Sequence, residues 1–195
     1  MKAVFCFFGK RKSGKDHVAI LLKQELDKHG QTFIRRISDP LKEEYAKMKN
    51  LNAEELKTSG PKKEIVRKEM VCYGEEIRNL DKYYFCRKTT ETIPLKTDFL
   101  IISDCRRPTD LEYFKSEYEN VIVVKIVASL EIRQKRGFIF EKEIDEAETE
   151  CALDDYESVD FILENNFTES DEDGEKLNLV IGKFVENVLN DKNLW

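Results

Sequence analysis

Lys2-Ala-Val-Phe-Cys-Phe-Phe-Gly-Lys-Arg-Lys-Ser-Gly-Lys-Asp16, followed by Val18, Leu21, Leu22 and Leu26, is the stretch that decides the fold. Its apolar opening reads as a buried strand, and the recurrence after it reads as one face of an amphipathic helix. Between the two lies Gly9-x4-Gly14-Lys15, the spacing of a phosphate-binding loop in the strand–loop–helix context that the motif requires. Glycines let the backbone turn tightly, so that successive N–H groups point at phosphate oxygens. The helix N-terminus adds partial positive charge. Lys15 then reaches the β- and γ-phosphates as a point charge. Gly9 to Asp16 is therefore read as the cradle for the phosphates of ATP. Asp16 departs from the pattern, standing where Ser or Thr ordinarily ligates Mg²⁺. A carboxylate can ligate Mg²⁺ too, and Lys10, Arg11 and Lys12 offset its charge; the alternative is a helix-capping role. Neither a DxxG switch placed after a second or third strand nor an NKxD base-reading motif is found, which weakens a nucleotide-operated switch.

Outward from the loop, apolar runs suited to strands fall at 2–8, 32–37, 98–103, 120–128 and 159–164. Helical patterns lie between them at about 15–29, 40–49, 62–79, 81–92, 109–118, 129–136 and 175–190. Phe99-Leu-Ile-Ile and Val121-Ile-Val-Val-Lys-Ile-Val are near-continuously apolar, as strands covered on both faces must be. The alternation predicts an α/β fold, a three-layer parallel sheet of about five strands flanked by helices. With 195 residues, 41% of them hydrophobic, and no Pro/Gly/Ser linker, one domain over 1–195 is expected. No apolar run approaches the roughly 20 residues of a membrane span, and no secretory signal follows the opening strand. The five scattered cysteines form no CxxC pair, so reduced thiols and a cytosolic location are expected.

The net charge of −6 is unevenly distributed. Residues 1–136 carry 29 basic against 21 acidic side chains, and residues 137–195 carry 4 against 18. The basic part suits small polyanions, while the overall acidity argues against nucleic acid as a partner. On the helix predicted at 62–79, Val66, Met70, Tyr73 and Ile77 form one stripe for the core. Lys63, Arg67, Gly74 and Arg78 form a second stripe about 80° away. It reads either as the wall of an anion pocket or as a solvated flank, and Gly74 hints at a close approach by ligand or backbone. Ser103-Asp104-Cys105-Arg106-Arg107-Pro108 lies just beyond a strand, where open α/β sheets bind ligands. Arg106 and Arg107 suit a phosphoryl-transfer centre because guanidinium matches phosphate oxygens bidentately. Asp104 could hold Mg²⁺-bound water or orient an Arg; the bland reading is a structural turn. Arg133 and Arg136 precede Gly137 and a charged segment, which is either a lid that excludes water or an ordinary surface loop. The last predicted strand runs into Asn165 and Asn166, a position suited to nucleotide contact.

GKRKSGKD (9–16), SDPLKEEYA (38–46), the Lys63…Met70…Gly74-Glu75-Glu76…Arg78 helix, Phe85-Cys-Arg-Lys88, SDCRR (103–107), QKRG (134–137) and ILENN (162–166) occur here in this order. Together they closely resemble the animal-type phosphomevalonate kinases of the nucleoside-monophosphate-kinase superfamily, over about residues 3–190. The resemblance implies a P-loop core with a mobile lid at about 133–150 and an acceptor-binding helical region at about 40–93. Separately, a monomer that contacts no membrane is expected; the resemblance itself implies transfer of the γ-phosphoryl group of ATP to (R)-5-phosphomevalonate, with Mg²⁺. It puts Lys10, Lys12, Lys15 and Asp16 at ATP-Mg²⁺, with Gly9, Arg11, Ser13 and Gly14 in the same loop. Lys63, Arg78, Arg87, Arg106 and Arg107 fall near the acceptor or the transferred group. Arg136 serves the lid, and Asn165 and Asn166 lie by substrate or nucleotide. Catalytic weight then rests on Lys12, Lys15, Arg106 and Arg107. This chain departs from some relatives at Asn166, where they carry His, and at Cys105, where Thr is common. Two readings compete: a nucleoside or deoxynucleoside monophosphate kinase on the same scaffold, and a nucleotide-dependent binding protein without catalysis.

Overall fold

Ala3–Phe8 forms β1, buried along its whole length. Phe5 and Phe7 enter one core cluster, and the two-residue period of a strand turns Val4, Cys6 and Phe8 to the opposite face. The structure, a computed structural model, describes residues 1–58, 60–168 and 171–195, excepting the side chains of residues 61–63 and 171. With β2 (Thr32–Arg35), β3 (Phe99–Ile102), β4 (Val121–Val127) and β5 (Phe161–Glu164), β1 builds a five-stranded sheet ordered β2-β3-β1-β4-β5. β1 is parallel to β3 and β4, with Phe5 beside Ile101 and Ile122, and β4 is parallel to β5. The fold is thus the parallel α/β sheet expected from the alternating pattern, and each strand lies within an apolar run.

Parallel neighbours need crossover connections, and helices supply them. α1 (Lys15–Leu26) links β1 to β2, and α6 (Pro108–Glu117) links β3 to β4. Val18, Ala19 and Leu22 of α1 pack with Phe5, Phe7, Phe99, Ile101 and Ile122, and the C-terminal helix over 171–191 closes the same cluster through Leu177, Ile181 and Val185. α6 packs against β1 and β4, with Leu111 and Phe114 fully buried. Chain order reverses between neighbouring strands β1 and β4, because β1 leads on to β2 and β4 to β5 on opposite sides. That switch point is where ligands bind at the carboxyl ends of such sheets.

The chain divides into two compact units, Met1–Ile34 with Pro94–Trp195, and Arg35–Ile93. The second unit holds α2 (Ser38–Lys49), α3 (Ala53–Lys57), α4 (Pro61–Leu80) and α5 (Tyr84–Glu91). Its own small core is Tyr45, Ala46, Leu56 and Met70, with Val66 and Tyr73 packed against it. The apolar stripe of α4 therefore faces inward as its period predicts. Gly74 is explained by packing: a Cβ there would stand 3.1 and 3.2 Å from the two Leu41 methyls. α3 falls outside the predicted helical patterns, because five residues are too short for a periodic signal; Asn52 starts it by accepting the Glu54 N–H at 2.9 Å.

Candidate phosphate-binding site

At the end of β1 the chain needs two glycines for different steric reasons. Gly9 has φ 148°, and a Cβ on it would lie 2.1 Å from the Ile126 carbonyl oxygen, so the loop leaves the sheet hard against β4. Gly14 has φ 86° and caps α1; a Cβ there would meet Asn165 Nδ2 at 2.3 Å. The Ser13 N–H donates to Lys10 O at 3.2 Å and closes the turn, with Lys12 exposed at its tip in the left-handed region (φ 61°). Because Gly14 is the cap, Asp16 sits in the first helical turn, and it is exposed.

Beside the loop is a cavity of about 310 Å³, lined by Lys10, Ser13, Lys15, Arg106, Lys125 and Arg133 among others. Five cations around one small volume outnumber the two carboxylates that line it, Glu150 and Asp154, and leave it positively charged. The Lys15 ammonium donates to the carbonyls of Gly9 (2.5 Å) and Lys10 (3.1 Å), held inside the loop. Burial above all, with the Arg106 guanidinium adding to it, brings its pKa down to about 8 against the opposing pull of Asp16 and Asp104. Burial likewise pulls Arg133 down, against the raising influence of Asp145. Its guanidinium lies over the Phe138 ring at 4.0 Å and donates to the Arg11 carbonyl at 2.8 Å.

Acidic side chains of the segment after α7 (Leu130–Lys135) meet several of these cations. Lys10 pairs with Asp154 at 2.6 Å and donates to the Glu150 carbonyl at 3.1 Å. Burial alone would lower the Lys10 pKa, but the bond and charge of Asp154 outweigh it and raise it. Arg11 pairs with Asp145 (3.1 Å) and Glu141 (3.3 Å), and Arg106 with Glu150, whose side chain is almost fully buried. The Asp110 carboxylate accepts the backbone N–H groups of Arg106 (2.9 Å) and Arg107 (3.1 Å), which fixes the turn into α6. Arg106 lines the cavity and Arg107 does not.

Arg136 and Asn165 meet behind the loop. The Arg136 guanidinium donates to the carbonyls of Ser13 (3.0 Å), Asn165 (3.0 Å) and Phe167 (2.7 Å) and to Asn165 Oδ1 (3.1 Å). Asn165 is buried and donates from Nδ2 to Ser13 O at 2.8 Å. Together they tie the end of β5 to the turn of the loop. Asn166, exposed, accepts the Ser129 N–H at the start of α7 (2.7 Å).

Known proteins resemble the chain in sequence. The family model described as phosphomevalonate kinase matches residues 7–120. A phosphomevalonate kinase of Drosophila melanogaster is 35% identical over 171 residues, 85% of this chain and 89% of that one. The chain belongs to the phosphomevalonate kinase family. Solved structures that it resembles include shikimate kinase from Aquifex aeolicus VF5 (TM-score 0.49, 17% identity, covering 95% of this chain and 98% of that one). Another is shikimate kinase from Acinetobacter baumannii in complex with shikimate (TM-score 0.45, 12% identity, covering 95% and 93%).

In this member of the phosphomevalonate kinase family, the remaining site candidates lie in the second unit. Arg78 stacks over the Phe85 ring at 4.8 Å, and Arg87 pairs with Asp81. Arg67 pairs with Glu64, its neighbour one turn back, and the side chain of Lys63 lies outside the described residues. Among the described residues no three His, Cys, Asp or Glu side chains gather as a metal cage. Nor is any helix there long and apolar enough to cross a membrane.

Three charged residues of the cavity, Lys125, Glu150 and Asp154, belong to no sequence motif. Lys125 interrupts an apolar strand and carried no motif, yet its ammonium reaches the Asp154 carbonyl at 3.0 Å. Glu150 and Asp154 sit in an acidic run, the first at the end of the predicted lid and the second beyond it, and neither belongs to a motif. A lone charge within β4 was the one available signal, since strand ends at a switch point line ligand sites.

Proposed function

We propose that the chain transfers the γ-phosphoryl group of ATP to the phosphate of (R)-5-phosphomevalonate, giving 5-diphosphomevalonate and ADP. The observation that carries the reading is the cation-lined cavity at the sheet's switch point in a member of this family. Both substrates are polyanions, and bringing them together concentrates negative charge. Catalysis then rests on positioning and fixed positive charge. The acceptor phosphate is already a nucleophile, so no deprotonating side chain is required.

The residues present fit a nucleotide polyphosphate. The Gly9 cradle would be filled by any Cβ, and the buried Ser13 hydroxyl has no partner. Lys15, Lys10 and Lys12 bind the phosphates of ATP, and Lys15 follows charge as it develops on the transferred group. Arg106 and Arg107 hold the acceptor phosphate or the transferred group, and Lys63, Arg78 and Arg87 bind the rest of phosphomevalonate. Arg136 and Asn165 keep the loop carbonyls turned back, leaving the loop N–H groups for phosphate. Asp16 and Asp104, directly or through water, would help hold Mg²⁺, which when bound neutralises phosphate charge; two carboxylates plus phosphate oxygens suit that ion. Residues at about 133–150 serve as the lid, and Arg11 and Arg106 exchange its carboxylates, Glu141, Asp145 and Glu150, for phosphate as ligands arrive. The reading includes a monomeric, cytosolic enzyme and rests there on the sequence pattern alone.

Coupled detection of ADP release with phosphomevalonate, against a panel of nucleoside monophosphates, tests it. Turnover should appear with phosphomevalonate and not with the nucleotides. Turnover of a nucleotide alone would replace the assignment with the competing kinase reading.

A further inference from the structure

Two side-chain polar atoms among the described residues are buried without any hydrogen-bond partner, Ser13 Oγ and Ser103 Oγ. Ser13 belongs to the phosphate loop. Ser103 has no role so far, and it is 1% exposed. It lies one residue beyond the Cys6–Ile102 pair, beside Phe7, two residues before Gly9 leaves the sheet. The Cys105 N–H, donating to Phe7 O at 3.0 Å, holds this turn against β1. Phe99 and Ile101 face the cluster that contains Val18, Ala19 and Leu22 of α1. Ser103 is the first residue of the turn that follows β3. Asp104, next in the chain, is near enough for its charge to act on the Lys15 ammonium.

We propose that Ser103 is a further ligand-binding residue, its hydroxyl donating to a phosphate oxygen of the nucleotide seated on the Gly9–Asp16 loop. An unpaired buried hydroxyl destabilises a fold, and Ala would fill the same place without that penalty. A structural role therefore gives no reason for Ser at 103, whereas an anionic oxygen supplies the acceptor, and such charge-assisted bonds are the strong ones. Ser13 comes to the phosphates from the loop and Ser103 from the end of β3, so the two orphan hydroxyls approach one ligand from two elements. The inference rests on the loop's being a nucleotide site.

The test measures thermal unfolding and calorimetric binding of a non-hydrolysable ATP analogue, with and without Mg²⁺, for the wild type and Ser103→Ala. The ligand-free variant should melt at or above the wild-type temperature. Its affinity for the analogue should fall about tenfold or more in both arms. An affinity within about twofold of wild type overturns the proposal. So does a ligand-free variant that melts several degrees lower, since the hydroxyl then has a structural partner. A loss confined to the Mg²⁺ arm overturns phosphate as the acceptor. A wild type that fails to bind the analogue sinks the nucleotide reading and this inference together; a binding wild type with an indifferent variant sinks the inference alone.

Discussion

Nucleotide binding should take up a proton at Lys15, in an amount that the site geometry sets. In the ligand-free protein burial brings this ammonium to about 8, helped by Arg106. With that value about nine-tenths of the side chain is charged at pH 7, about half at pH 8 and about a tenth at pH 9. A phosphate group beside it favours the charged form and returns the pKa to the ordinary lysine range or above. Binding of ADP should then draw in about 0.1 proton at pH 7, about 0.5 at pH 8 and about 0.9 at pH 9. The phosphates themselves do not obscure this at pH 8 and above, because their last ionisation lies near pH 6. Isothermal titration in buffers of differing ionisation enthalpy reads the uptake directly. Lys15→Met should abolish it and lower turnover by about two or more orders of magnitude, as loss of preorganised charge does. The same shift has a signature in stability. Below pH 8 the amine is charged in folded and unfolded chains, and its burial penalty is fully present. Between pH 8 and the ordinary 10.5 the unfolded chain binds more protons, so stability at this site rises with pH, by about 3 kcal/mol over the window. Binding heats at pH 8 and 9 that do not depend on the buffer would refute the buried-ammonium reasoning.

Asn165→Ala removes the bond to Ser13 O and one acceptor of Arg136 from a buried position. It should cost about 1–3 kcal/mol in urea unfolding and weaken ADP binding; unchanged nucleotide affinity would show that the loop needs no such support. Asp154→Asn leaves Lys10 without its 2.6 Å carboxylate partner. That pair is substantially exposed, so the ligand-free protein should lose less than about 1 kcal/mol. ADP, no longer competing for the ammonium, should bind up to about fivefold more tightly at low salt; weaker binding would show that Asp154 orients Lys10 rather than competes for it.

The sheet and the loop are legible in the amino-acid order. β1 and β3 are apolar on both faces, and β4 is so except at Lys125, as strands covered on two sides are. Gly9-x4-Gly14-Lys15 names its backbone chemistry at fixed local spacing. Short elements escaped it: α3 has five residues and the helices over 142–145 and 148–151 have four each, too few for a period to show. Tertiary structure alone decided who meets the cations. Asp145, Glu150 and Asp154 lie more than 120 residues from Lys10 and Arg11 in the chain or 40 from Arg106, and no local pattern couples them. It also decided that Gly74 makes room for Leu41 within its own unit. Asp16 keeps its place in the opening motif, now seen in the first turn behind a Gly14 cap. Ser103 shows the difference most plainly. In the sequence it is a hydroxyl at a strand end, and only the packed sheet, by excluding every partner, marks it as a donor left for a ligand.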